Sequence, residues 1–224
     1  MNKLREYFEN NNDRLIHKWD HYFDIYERHF ERFVDTDVNV MEIGVFHGGS
    51  LQMWKDYFGK GANIYGLDIN PTCKSFEEDR VQVLIGDQGD REFWKSIKPT
   101  LPTFDIIIDD GGHSMDQQII TFEEMFPLLS ENGVFLIEDL HTSYMSYYAG
   151  GYEKANTFIE YSKKRIDELN AWHSEDERLQ VNDFTKSAYS MSYYDSVLVI
   201  EKDRCSLHST KRQVNLRTNT VFIH

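Results

Sequence analysis

Between Val38 and Ile137 the sequence keeps changing period, and that alternation restricts the fold more than any other feature. Short β-prone runs at Val38 to Ile43, Asn63 to Asp68, Val81 to Ile85, Phe104 to Ile108 and Gly133 to Ile137 run out into acidic residues or glycines. Ser50 to Tyr57, Arg91 to Ile97 and Met115 to Leu129 lie between them with helical spacing. Such intervals are about long enough for crossover helices, so the strands run parallel with helices on both faces. After Tyr152 a charged helix continues to about Asn170. Two further β-like segments follow, Ser187 to Tyr193 and Ser196 to Glu201, joined by only Tyr194-Asp195. So short a link permits antiparallel pairing only. The expected fold is α/β, a doubly wound, mostly parallel sheet ending in an antiparallel edge hairpin. At the N-terminal end Leu15, Trp19, Tyr22, Phe23, Tyr26, Phe30 and Phe33 recur at helical spacing, predicting an amphipathic helix or helix pair over Asn12 to Phe33. The division expected is a helical segment over 1–36, a main domain over 37–204 and a C-terminal extension over 205–224.

Charge removes several classes of partner. The 224 residues carry a formal charge of −14, which disfavours an electrostatic grip on nucleic acid or anionic lipid. The first residues, MNKLREYFENNNDR, have no apolar core, so no secretory signal or membrane anchor is expected there. The apolar runs are far shorter than the roughly 20 residues that span a bilayer. A cytoplasmic protein is expected. Cys73 and Cys205 are the only cysteines, without zinc spacing, so thiols are expected rather than a disulfide or a zinc site.

In an open α/β sheet the ligand site lies beyond the carboxyl ends of the strands. After the first strand comes Glu42-Ile43-Gly44-Val45-Phe46-His47-Gly48-Gly49-Ser50. Its glycines let backbone approach a ligand, and the next helix offers its N-terminus. A P-loop is disfavoured because Ser50-Leu51 replaces the Lys and Ser/Thr, and the dinucleotide pattern fails because Phe46 occupies its second glycine position. The second strand ends in Asp68, placed to accept hydrogen bonds from a ribose diol or to cap the turn Ile69-Asn70-Pro71. The third ends in Gly86-Asp87-Gln88, which suits an adenine edge. Together these rim features favour an adenosine-type ligand.

The fourth strand ends in Asp109-Asp110-Gly111-Gly112-His113 and the fifth in Glu138-Asp139-Leu140-His141. If these strands are neighbours, roughly 4.8 Å apart, then Asp110, Glu138 and Asp139 converge. Clustered carboxylates raise one another's pKa values, and a divalent cation relieves them. The hard oxygen donors favour Mg²⁺ over zinc. His113, just past two glycines, is placed as a general base beside whatever that cation holds. The alternative is a plain turn at Asp109 to Gly112, with His113 merely preceding a helix.

These motifs, with Gly66-Leu67-Asp68-Ile69, resemble those of class I S-adenosylmethionine-dependent O-methyltransferases, which have a Rossmann-like fold. Within that class the chain is similar to the metal-dependent macrolide sugar O-methyltransferases of the mycinamicin and tylosin type, and to a related cephamycin-pathway protein. The resemblance runs from about Asp13 to Lys202. It implies Asp110, Glu138 and Asp139 as Mg²⁺ ligands and His113 as base. Glu42, Gly44, Ser50, Asp68, Asp87, Gln88 and Asp109 would surround S-adenosylmethionine. The stretch from Asp13 to Glu27 would form a lid, with Arg14 where the family usually has Lys. The mycinamicin enzyme's additional N-terminal domain is not in this sequence, so its macrolide pocket and its oligomer are not transferred; a homodimer is nevertheless the expected assembly.

The implied reaction is methyl transfer to a hydroxyl of a saccharide or sugar nucleotide, with metal chelation of adjacent acceptor oxygens. Tyr144, Tyr147, Tyr148 and His141 are expected either to form a mobile acceptor loop or to pack as ordinary surface. The other readings are methylation of a non-sugar acceptor such as a phosphoryl group in a capsule, a cofactor-binding protein without catalysis, and a nicotinamide oxidoreductase, which Phe46 disfavours.

Overall fold

The structure, a computed structural model, describes residues 2–203. Cys205 and the expected extension over 205–224 lie outside them. The chain order is α1 (Lys3–Asn10), α2 (Tyr22–Phe30), β1 (Asn39–Ile43), α3 (Gly49–Phe58), β2 (Asn63–Asp68), β3 (Val81–Ile85), α4 (Arg91–Ile97), β4 (Phe104–Asp109), α5 (Met115–Met125), β5 (Leu129–Ile137), α6 (Phe158–Leu169), α7 (Asp183–Ser187), β6 (Ala188–Tyr194) and β7 (Val197–Lys202). The strands form one sheet in the order β3-β2-β1-β4-β5-β7-β6. β1 to β5 pair in parallel, while β7 runs antiparallel to both β5 and β6. Among the described residues no helix is long and apolar enough to cross a membrane.

The central strands read as continuous apolar runs because both of their faces are covered. Val40, Ile64, Ile106, Ile108, Val134 and Leu136 join the core on one face; Met41, Ile43, Ile107, Phe135 and Ile137 join it on the other. Helix starts are fixed by local chemistry. The Asp90 side chain accepts from Glu92 N–H ahead of α4, Thr157 accepts from Glu160 N–H ahead of α6, and Ser114 and Gln117 form a capping box on α5. The sheet order reverses between β1 and β4, which opens a crevice beyond their carboxyl ends.

The N-terminal region departs from its periodicity. Helix α2 covers only Tyr22–Phe30, α1 lies outside the expected span, and residues 11–20 have no regular secondary structure. Tertiary demands override helical spacing here. Ile16 is buried, whereas Leu15 is 56% and Trp19 39% exposed where they line the crevice. The N-terminal residues nevertheless share the main core: the Phe30 ring centroid lies 5.9 Å from that of Trp54 and 6.1 Å from that of Phe58.

Candidate active site

The crevice is a cleft of about 360 Å³, within the range of small-molecule sites. Its walls come from the loop after β1, the ends of β2 to β5 and the irregular stretch Leu15 to Trp19. The loop after β1 passes very close to the end of β4. Gly44 adopts φ +96°, and a Cβ there would stand 2.0 Å from the Asp110 carbonyl oxygen, so only glycine fits. A Cβ on Gly111 would likewise meet Gln88 Oε1 at 1.8 Å.

Asp68 borders the cleft and organises its loop. Its Oδ2 accepts from the backbone N–H of Val45 and of Phe46, both at 3.0 Å, and its Oδ1 accepts from Asn70 N–H at 2.8 Å. The turn-capping role is therefore realised, with the carboxylate still in the cleft wall. Asp87 also lines the cleft, and its Oδ1 accepts from Gly89 N–H at 2.8 Å. Gln88 is buried and ties three elements together. Its Nε2 donates to Asp109 Oδ1 at 3.0 Å and Thr121 Oγ1 at 2.9 Å, and its Oε1 accepts from Gly112 N–H at 2.8 Å.

Two residues expected on the cofactor side lie beneath the cleft surface. Asp109 is 1% exposed, Oδ2 has no hydrogen-bond partner, and burial pushes its carboxyl up to about 7. Glu42 is fully buried and accepts from Ser50 Oγ at 2.5 Å and Trp54 Nε1 at 3.1 Å. Its pKa is raised by burial, against the lowering effect of Lys18. Ser50 itself reaches the cleft.

β4 and β5 are parallel neighbours, with Asp109 opposite Ile137, so the acids that follow them come together. One oxygen of Asp110, one of Asp139 and a ring nitrogen of His113 all lie within 4.8 Å of one another. His113 Nε2 is 3.7 Å from Asp110 Oδ1 and 3.4 Å from Asp139 Oδ2. Both His113 and Asp139 have φ 56°, a left-handed conformation that non-glycine residues seldom adopt outside turns and functional sites. The buried Nδ1 of His113 has no hydrogen-bond partner.

Glu138, the third acid expected at the metal, is bound differently. Both of its oxygens lie 3.1 Å from Lys18 Nζ, and Oε1 also accepts from Tyr26 OH at 2.6 Å. Burial, followed by the charge of Asp110, raises its pKa well above the usual carboxylate range. Lys18 is the feature that the sequence alone did not single out. Its side chain is 2% exposed, and Nζ lies 2.6 Å from Asp110 Oδ2 and 3.4 Å from Glu42 Oε1. Burial opposes its charge, but Asp110 and Glu138 outweigh that effect and raise its pKa.

Beside the acidic cluster, the Trp19 ring stacks on His141 at 4.8 Å with an interplanar angle of 19°. Tyr148 presents its ring edgewise to His113 at 6.5 Å. Tyr144 and Tyr147 are 57% and 90% exposed, which is compatible with either an acceptor loop or ordinary surface.

The doubly wound sheet with its antiparallel edge has the fold of class I methyltransferases, with the glycine loop and the carboxylates beyond β4 and β5 at its switch point. Residues 41–140 match the family model described as a methyltransferase domain. The chain is 37% identical over 65% of its length to an 8-demethyl-8-alpha-L-rhamnosyl tetracenomycin-C 2′-O-methyltransferase from Streptomyces olivaceus, of which it covers 40%. It is 34% identical over 80% of its length to a mycinamicin VI 2″-O-methyltransferase from Micromonospora griseorubida, covering 47% of that protein. Among solved structures, the MycE methyltransferase from the mycinamycin biosynthetic pathway, in complex with Mg and SAH, superposes with a TM-score of 0.80 at 30% identity. That match covers 92% of this chain and 55% of MycE, so the chain spans about half the length of the relatives it matches.

Proposed function

We propose that this protein is an S-adenosylmethionine- and Mg²⁺-dependent O-methyltransferase acting on a hydroxyl of a saccharide or sugar nucleotide. The observation that carries the reading is the convergence of Asp110 Oδ1, His113 Nε2 and Asp139 Oδ2 in the wall of the same cleft that the glycine loop backs. The donor set fits a hard divalent cation, since Asp110 and Asp139 each turn one oxygen toward the cluster. Glu138, the third acid expected to hold the metal, stands apart from this cluster, with both of its oxygens 3.1 Å from Lys18 Nζ.

When bound, S-adenosylmethionine supplies an electrophilic methyl on a sulfonium, and Mg²⁺ supplies a Lewis acid for acceptor oxygens. The chain's own residues do the rest. The Gly44 loop allows the cofactor to approach the backbone, and Asp68 and Asp87 place carboxylates along its path. His113 Nε2 is placed to take the proton of the acceptor hydroxyl, which would make that oxygen nucleophilic towards the methyl group. Asp139, 3.4 Å away, stabilises the imidazolium so formed. Trp19, which lines the cleft and is held by its stack on His141, offers an aromatic ring suited to packing against a sugar. The sugar O-methyltransferases among the relatives support the same acceptor class. Incubation with methyl-labelled cofactor and a panel of glycosides and sugar nucleotides tests the proposal. Transfer that requires Mg²⁺ supports it; transfer unaffected by EDTA, or none to any saccharide, overturns it.

A further inference from the structure

The hydrogen bonds that hold the candidate metal ligands come from a part of the chain that also walls the cofactor cleft. Lys18 Nζ binds Asp110 Oδ2 at 2.6 Å, Tyr22 OH donates to Asp139 Oδ1 at 2.7 Å, and Tyr26 OH donates to Glu138 Oε1 at 2.6 Å. Tyr22 and Tyr26 are four residues apart and share a face of α2, while Lys18 reaches in from the irregular stretch just before it. In Asp110 and Asp139 the oxygen so held is not the one near His113, which is Oδ1 of Asp110 and Oδ2 of Asp139. Each carboxylate is therefore gripped by one oxygen and presents the other. Hydrogen bonds of this kind orient metal ligands, and losing one commonly costs roughly 10- to 100-fold in metal affinity. The residues just before Lys18 enclose the cofactor side: Leu15 and Ile16 line the cleft, and the Leu15 carbonyl oxygen packs where a Cβ on Gly49 would stand, 2.5 Å away.

We propose that the segment from Leu15 to Tyr26 makes metal and cofactor binding cooperative. Its docking orients Asp110 and Asp139 through Lys18 and Tyr22 and at the same time closes the cleft, so each ligand stabilises the arrangement that the other needs. The inference rests on the methyltransferase reading above. Linkage requires the enhancement to be equal in both directions.

Calorimetric titration of the full chain with Mg²⁺, with and without saturating S-adenosylhomocysteine, and of S-adenosylhomocysteine with and without Mg²⁺, measures that linkage. Each ligand should tighten the other by the same factor, on the order of 5- to 150-fold. Tyr22→Phe keeps the ring, which stacks on Trp19 at 5.7 Å, and removes only the hydroxyl. It should weaken Mg²⁺ roughly 10- to 100-fold, shrink the mutual enhancement, and leave S-adenosylhomocysteine binding in the absence of metal unchanged. Tyr193→Phe, which removes a hydroxyl bonded to Ser162 at 3.1 Å outside the cleft, should behave as wild type. Independent binding of the two ligands by the wild type, or a Tyr22→Phe variant with wild-type affinity and coupling, overturns the inference while leaving the functional reading standing. Failure of the wild type to bind either ligand overturns both.

Discussion

Lys18 and Asp110, 92 residues apart in the sequence, meet at 2.6 Å inside a cluster where the same ammonium also contacts Glu42 and Glu138. One buried cation thus serves three carboxylates, two of them fully enclosed. Removing it strands those charges. Lys18→Met should lower stability by about 3–5 kcal/mol, the usual consequence of breaking a buried ion pair from one side. Adding Glu138→Gln should recover part of that loss. Urea denaturation of the two single variants and the double variant at neutral pH measures both effects; strictly additive losses would show that Lys18 and Glu138 are not coupled.

His113→Ala should reduce the rate of methyl transfer by about 10²–10⁴-fold, the usual contribution of a positioned general base. S-adenosylhomocysteine affinity should remain near that of wild type, because the side chain faces Asp110 and Asp139. Single-turnover rates beside a calorimetric titration separate the two effects. An unchanged rate would assign the proton to another group.

Asp110→Asn and Asp139→Asn should each abolish Mg²⁺ binding at millimolar metal, with the melting temperature preserved to within a few degrees in Asp139→Asn and lowered in Asp110→Asn. The Asp139 side chain is 24% exposed and pairs with no lysine or arginine among the described residues, whereas Asp110 lies 2.6 Å from the buried Lys18 ammonium, which its loss would leave undercompensated. Retained Mg²⁺ binding in both variants would move the metal elsewhere.

Gly44→Ala tests the closeness of the β1 and β4 ends. The methyl group would stand 2.0 Å from a backbone oxygen at φ +96°, so the loop must move. A loss of at least about 2 kcal/mol is expected from the backbone strain and the clash together. Cofactor affinity should fall with it, measured on folded protein below the melting temperature.

Lys202 supplies a pH test far from the site. Burial lowers its pKa to about 8, while Nζ donates to the Leu129 carbonyl at 2.8 Å. A depressed pKa means that the folded form prefers the neutral amine. The stability associated with Lys202 is therefore present above its ordinary value of 10.5 and is lost as the pH falls through about 8. Relative to Lys202→Met, the wild type should gain stability as pH rises from 8 to 10. Parallel thermal melts over that range check the trend, and a constant gap would refute the shift.

The parallel sheet was legible because buried strands and crossover helices impose different periods, and the strands at Asn63–Asp68 and Val81–Ile85 stand where the pattern placed them. The carboxylates beyond β4 and β5 were legible for a related reason: strand ends in this topology must meet. Residues 11–20 were not. Their apolar spacing is helical, but Leu15 and Trp19 line the cleft, and the lysine between them is drawn into an acidic cluster built from residues at least 24 positions away. No local pattern marks a lysine for burial when its partners come from other strands. Asp109 and Asp110 share one motif, but strand alternation separates them, turning the Asp109 side chain toward Gln88 beneath the cleft while Asp110 lines it.

The hairpin turn between β6 and β7 braces the residues that follow Asp139 and the one that precedes Tyr22. Ser196 Oγ lies 2.6 Å from His141 Nδ1, the Ser196 carbonyl accepts from Leu140 N–H at 2.9 Å, and the Asp195 carbonyl lies 3.0 Å from His21 Nε2. The stretch 41–140 that matches the family model holds Asp110, His113 and Asp139 but neither this turn nor Lys18 and Tyr22. A fragment trimmed to that stretch would carry Asp110, His113 and Asp139 without the contacts that brace them, so an expressed fragment should enclose Lys18, Tyr22 and the β6–β7 turn as well as the recognisable motifs.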